Sequence, residues 1–189
     1  AQNMQFVGGS YGLRGPALAQ RMDMLLGAAG LDPFRGRPAS QLSGGMRRKL
    51  GVCMAMLHEP ELLVLDEPST GVDPVSRVDL WRLASGAAAA GAAVVMSTTY
   101  LDEAERAGDV LVLDRGRALV SGTPAEVRAA VPGVVTVAAE PVRAQWAWRR
   151  GRWVHELWPD GQPQGGQPVP PDLEDVVIAR ILVREEATP

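Results

Sequence analysis

The sequence predicts an α/β fold, preceded by a helical region and followed by a smaller α+β piece. Three observations carry that prediction. Short apolar runs at residues 62–65, 92–96 and 110–114 alternate with helical patterns. Strand, helix, strand, helix, strand is the order of a sheet built through crossovers. Residues 1–56 read mostly as helix. After Pro132 and Gly133 the composition changes, and Trp146, Trp148, Trp153 and Trp158 crowd one segment. The expected division is a helical subdomain at 1–57, an α/β core at 58–131 and an appendage at 132–189.

Each element has a local reason. Met22, Leu25, Leu26 and Ala29 recur at helical spacing, and Gly30 is a stop. Asp32 and Pro33 start a turn. Ser43 is placed to cap a helix beginning near Gly44, with Met46, Leu50, Cys53, Met54 and Leu57 on one side and Pro60 beyond its end. The run at 62–65 is continuously apolar, which predicts a strand buried on both faces. Asp73 and Pro74 predict a cap and a first helical turn for residues 74–90. Residues 92–96 give a second buried strand, 101–107 a short acidic helix, and 110–114 a third strand. Arg115 and Gly116 turn the chain into residues 117–121, and Thr123 caps a short helix at 124–130. In the last part, Arg150 and Gly151 split the tryptophan-rich segment as a hairpin would. Residues 160–171 are rich in Gly, Pro and Gln and read as a loop. Asp172 caps a closing helix with Leu173, Val176, Val177 and Ile181 on one face.

Composition narrows the partners. A chain of 189 residues with 46% hydrophobic content can bury a core. A formal net charge of -3 supplies no basic field, so no nucleic-acid partner is expected. No window reaches the roughly 18 apolar residues of a membrane span. The single cysteine, Cys53, has no internal disulfide partner and suits a reducing compartment. The chain opens on Ala1 rather than Met, so it is expected to be a piece of a longer protein.

Two stretches carry chemistry. "LLVLDEPSTGVD", residues 62–73, ends an apolar strand in Asp66 and Glu67. The carboxyl ends of strands are where α/β sheets bind ligands. Neighbouring strand residues point to opposite faces, so the two acids can differ in role. One can serve Mg²⁺, which prefers oxygen ligands and keeps its waters. The other can orient or deprotonate a water. The residues alone leave open a solvated strand end. "QLSGGMRRKL", residues 41–50, opens a helix with Ser43, Gly44 and Gly45. Glycines let backbone N–H groups approach an anion at the positive end of a helix. Taken alone, this stretch reads equally well as a plain helix cap.

Order and spacing together resemble the ATP-binding cassette (ABC) ATPases, over about residues 1–130. "LSGGM" at 42–46 looks like the family's signature loop, and "LLVLDEP" at 62–68 looks like its Walker B strand. "STGVD" at 69–73 looks like the D-loop, "MSTTYLDEAE" at 96–105 like the switch region, and "LVLDRGRALVSGTPAEVRA" at 111–129 like the end of a cassette. The wording is most similar to drug-export and lipid-type (ABC-2) subunits, and "PPDLEDVVIARI" at 170–181 is similar to their closing helix. The resemblance implies a partial RecA-like core and the cofactors ATP and Mg²⁺. It gives Asp66 to the metal and Glu67 to the catalytic base. Gln41, Ser43, Gly44, Gly45, Asp73 and Thr99 fall to nucleotide binding. It also implies a second cassette joined head to tail, a transmembrane permease subunit, and a place on the cytoplasmic face of a membrane.

Two departures qualify that picture. The family grips phosphates with GxxxxGK[ST], and this sequence holds none: Lys49 is its only lysine and follows "GGMRR". The chain is therefore expected to lack the N-terminal Walker A part and to receive the phosphate grip from elsewhere. Thr99 stands where the family usually has a histidine. Imidazole donates to phosphate oxygen with a reach and charge that threonine lacks. A site around Glu67 is then expected to be slow or silent. Two alternatives to a transporter subunit stay open: a degenerate cassette acting as a partner module, and a non-transport member such as a DNA-repair or ribosome-associated ATPase. His58 and His155 lack ligand spacing and are not read as a metal site.

Overall fold

A computed structural model describes residues 1–187, in two compact units, the first Ala1–Thr99 and the second beginning at Tyr100. The first unit opens with three helices, α1 (Gln2–Ser10), α2 (Gly15–Ala28) and α3 (Gly44–Met56). It continues with strand β1 (Leu62–Leu65), helix α4 (Pro74–Ala89) and strand β2 (Ala93–Met96). Helix α2 starts on a proline in its first turn, and Gly30 beyond its end has φ +65. That left-handed conformation suits glycine best. Ser43 is extended and its hydroxyl accepts the Met46 N–H, which starts α3. Asp73 does the same for α4 by accepting from Ser76.

A single core holds this unit together. Met4, Met22, Leu25, Leu26, Cys53, Leu57, Leu63 and Leu80 are all buried in it. The Cys53 thiol donates to the Leu25 carbonyl at 3.5 Å, and burial pushes it up to about 12. It is thus a packing residue, inert as a nucleophile at neutral pH.

The two strands pair in parallel, with Leu62 opposite Ala93 and Leu65 opposite Met96. Leu63 and Leu65 are buried, but Leu62 is 56% exposed, Val64 63% and Val95 57%. The expectation of strands buried on both faces is therefore corrected. Only one face of this parallel pair is covered. An apolar run states that both faces tolerate burial, and the strand residues themselves cannot supply the second cover.

The second unit begins with helix α5 (Leu101–Ala104), three residues shorter than the acidic pattern. Strands β3 (Val110–Asp114) and β4 (Arg117–Gly122) pair antiparallel. Arg115 and Gly116 between them have φ +48 and +75, the positive pair that a tight hairpin turn requires. Helix α6 (Pro124–Ala129) carries a full capping box from Thr123 and Glu126. Four strands follow: β5 (Val134–Ala138), β6 (Ala147–Arg150), β7 (Trp153–Trp158) and β8 (Gln167–Pro168). They form one antiparallel sheet in the order β6-β7-β5-β8.

Helix α7 (Leu173–Glu186) closes the unit, and Leu173, Val176 and Ala179 on it are buried. Trp158 is fully buried, and its indole N–H donates to Thr136 Oγ1 at 2.9 Å. The Arg143 guanidinium lies 3.8 Å over its ring. Nearby, the buried Glu156 carboxylate accepts the Val142 and Arg143 backbone N–H groups at 2.9 and 3.0 Å. The Trp158 indole and the Glu156 carboxylate are therefore both partnered, as a low-dielectric interior requires. No helix among the described residues is long and apolar enough to cross a membrane.

Candidate functional site

The site lies in the first unit, where β1 and β2 end. Asp66 follows β1 directly, and Glu67 is left-handed at φ +42. A side chain there costs about 1–3 kcal/mol of backbone strain, so something must hold it. Ser97 supplies part of the hold. Its N–H donates to the Leu65 carbonyl at 2.9 Å, extending the parallel ladder by one residue. Its hydroxyl donates to Asp66 Oδ1 at 2.6 Å and accepts the Glu67 N–H at 2.8 Å. Thr70 supplies the rest. Its hydroxyl donates to Glu67 Oε2 at 2.8 Å, and its N–H reaches the Glu67 carbonyl at 3.3 Å. The two adjacent acids thus sit in different surroundings, which is what separate roles would need.

Beside them lies the start of α3. Gly44 has open space where a side chain would project. Gly45 does not: a Cβ there would stand 2.9 Å from Ser76 Oγ and 3.1 Å from Asp73 Oδ2. The N-terminus of α3 is thereby seated against the N-terminus of α4. Asp73 is exposed, and the Ser76 backbone N–H at 2.9 Å holds its carboxyl below the usual range. Further along the same helices, Lys49 Nζ meets Asp79 Oδ2 at 2.9 Å, with Lys49 buried. A cavity of about 440 Å³ is lined by Gly44, Arg47 and Arg48 of α3 and by Val64, Asp66 and Pro68 around the end of β1.

The sequence-derived residues therefore fall into two contiguous groups. Ser43, Gly44, Gly45 and Asp73 meet at the paired helix starts. Asp66 and Glu67 meet at the strand end, and the cavity joins Gly44 to Asp66. Gln41 is exposed at the end of a short turn (Ala39–Gln41) ahead of α3. Thr99 is exposed two residues beyond Ser97.

Sequence reasoning passed over Ser97, Thr70, Ser76 and the Lys49–Asp79 pair. Thr70 carried a signal, since a hydroxyl three residues after an acid in a turn commonly bonds it. Ser97 carried a signal only in the strand register, and Asp79 only in the packing of two helices.

Among the described residues no group of three or more His, Cys, Asp or Glu side chains is gathered as a metal cage. A single carboxylate beside an open cavity suits Mg²⁺ of another kind, held largely by phosphate oxygens and waters. The open, positively polarised start of a 13-residue helix suits an anion.

The chain is similar to known proteins along its whole length. A family model described as "ABC transporter" matches residues 2–70. The probable multidrug ABC transporter ATP-binding protein YbhF of Escherichia coli K12 is 34% identical over 188 residues, which is 100% of this chain and 31% of that protein. The chain belongs to the ABC transporter ATPase family. Nod factor export ATP-binding protein I of Ralstonia nicotianae is 38% identical over 67% of this chain and 40% of its own length. The daunorubicin/doxorubicin resistance ATP-binding protein DrrA of Streptomyces peucetius is 36% identical over 69% of this chain and 40% of its own.

Among solved structures, an ATP-binding subunit of an ABC transporter superposes with a TM-score of 0.60 and 29% identity, covering 68% of this chain and 54% of that one. The cbiO1 protein from Clostridium perfringens, part of the ABC transporter complex cbiONQ, superposes with a TM-score of 0.56 and 26% identity, over 66% and 51%. The fold is thus that of part of an ABC ATPase core. The chain spans between about a third and two fifths of the length of these curated relatives.

Proposed function

We propose that this chain is part of the ATP-hydrolysing subunit of an export-type ABC transporter, working with a second cassette and a membrane permease at the cytoplasmic face. The observation that carries the reading is the pair Asp66 and Glu67, held together at a strand end by Ser97, with Asp66 and the open helix start at Gly44 lining one cavity. When bound, MgATP would supply the phosphate to be cleaved and the ion that neutralises its charge. Asp66 would hold that ion through its carboxylate. Glu67 would orient and polarise the attacking water. The N–H groups of Ser43, Gly44 and Gly45 would face the γ-phosphate bound by the partner cassette, with Gln41 beside them in sequence contributing to nucleotide binding. Asp73, packed against Gly45, would couple the two sites, and Thr99 would stand at the switch position with a weaker contact than histidine makes.

Two features support a shared phosphate grip. The only lysine in the chain is committed to Asp79 at 2.9 Å and is buried, so it is not available to reach phosphate. One face of the β1–β2 pair is bare at Leu62, Val64 and Val95, and covering it would contribute about 1 kcal/mol per side chain. Both features are what a cassette would have if its phosphate loop and the covering structure came from residues outside these 189.

Gly44→Asp tests the helix-start assignment. Nothing lies within 4 Å of the added Cβ, so the fold should tolerate it. An aspartate there sets a like charge against phosphate, and ATP hydrolysis by the full-length protein is expected to fall at least about tenfold, with the melting temperature little changed. Hydrolysis at the parent rate would remove α3 from the site.

A further inference from the structure

We propose that Ser97 is a positioning residue, tying the end of β2 to both acids so that one hydroxyl sets the Asp66 carboxylate and the Glu67 backbone together. The inference rests on the roles given to Asp66 and Glu67 above and adds the device that aligns them. A serine hydroxyl has one proton to give and lone pairs to receive. Here the proton goes to Asp66 Oδ1 at 2.6 Å, and the oxygen receives the Glu67 N–H at 2.8 Å. Asp66 then presents its carboxylate in one orientation, and Glu67 keeps its left-handed turn at φ +42. The second hold on Glu67 is Thr70, which fixes the carboxylate but not the direction of the Asp66 side chain.

The placement along the chain gives the tie a consequence. Ser97 lies on the ladder through its bond to the Leu65 carbonyl, and Thr99 is only two residues further. A displacement of the segment around Thr99 therefore reaches both acids through one side chain. Ser97 is exposed, and an exposed hydrogen bond contributes little to overall stability. A purely structural serine at this position would therefore leave turnover unchanged when replaced. A positioning serine would lower turnover while leaving nucleotide affinity near its parent value, because geometry at the reacting atoms, and not binding, is lost.

The experiment uses the full-length protein with Ser97→Ala and Ser97→Thr, and Glu67→Gln as the reference. Amide hydrogen exchange at Glu67 is read without nucleotide, and kcat, the KM for ATP and the Mg²⁺ half-saturation are read during hydrolysis. In Ser97→Ala, exchange at Glu67 and the Mg²⁺ requirement are expected to rise and kcat to fall, each by about tenfold. The KM for ATP is expected to stay within about twofold. Ser97→Thr keeps the hydroxyl and should restore all of these values. If Ser97→Ala does not fold, Ser97→Thr against the near-isosteric Ser97→Val reads the same difference. Parent exchange and parent kcat in the variants lacking the hydroxyl, with Glu67→Gln inactive, would overturn the role of Ser97 and leave the site intact. Parent hydrolysis in Glu67→Gln would overturn the site assignment itself and, with it, the alignment by Ser97.

Discussion

Glu67→Gln in the full-length protein is expected to lower ATP hydrolysis by about a hundredfold to ten-thousandfold while ATP still binds. The amide keeps the size of the carboxylate and can still meet the Thr70 hydroxyl that now donates to Oε2 at 2.8 Å. It loses the negative charge and basicity that polarise a water. Nothing about Asp66 changes, so the carboxylate proposed to hold the ion is kept. Equilibrium ATP binding and steady-state hydrolysis, measured on the same preparation, check both halves of the expectation. A smaller loss would mean that Thr99 already limits the site, since a slow parent leaves less to remove. Unchanged turnover would take Glu67 out of the chemistry of this chain, as in a site that Thr99 has already silenced.

Gly133→Ala is expected to destabilise the second unit by about 3 kcal/mol, or roughly 10–20 °C in melting temperature. Gly133 has φ +128, a conformation that side chains rarely adopt, and it sits where β5 begins beside the end of β7. A Cβ there would meet the Trp158 carbonyl carbon and Pro159 Cα, both at 2.8 Å. These are backbone atoms at and just beyond the end of the strand that carries the fully buried Trp158, so no rotamer change relieves the clash. Thermal unfolding followed by tryptophan fluorescence checks it. A variant melting within about 2 °C of the parent would mean that β5 and β7 can part at this point without cost. Gly151, at φ +59 with nothing within 4 Å of an added Cβ, offers a milder control, because only its conformation and not its space resists substitution.

What the sequence could disclose follows the range of each interaction. Ser43 before α3, Asp73 with Pro74 before α4, Thr123 before α6 and Asp172 before α7 were all legible. A cap is settled within four residues of itself. The hairpin at Arg115 and Gly116 was legible for the same reason. The β1 run was legible as a strand, but not which of its faces is bare, because the cover lies on other elements. Strand β5 was not anticipated. Its five residues, Val134–Ala138, follow a glycine whose purpose, close approach to the chain at Trp158, appears only when β7 is in place.

The candidate site divides along the same line. Asp66 and Glu67 stand out because two acids closing an apolar strand need a reason. Ser43 to Gly45 stand out because a glycine pair opens a helix. Ser97 and Asp79 do not stand out. Each lies about thirty residues from its partner, and parallel register or helix packing alone brings them close. The seating of Gly45 against Ser76 is hidden in the same way, since a glycine records only that something is near.

The proposed function gives these residues part of a nucleotide site and assigns the phosphate grip to residues other than these 189. The most direct measurement is the affinity of the isolated 189-residue chain for MgATP, by calorimetry or by a fluorescent analogue, beside that of the full-length protein. The account expects the isolated chain to bind weaker than about 1 mM, which leaves little more than about 4 kcal/mol of binding free energy, and the full-length protein to bind far more tightly. Micromolar binding by the isolated chain would contradict it, because residues within Ala1–Pro189 would then hold the phosphates without GxxxxGK[ST] and with Lys49 engaged by Asp79.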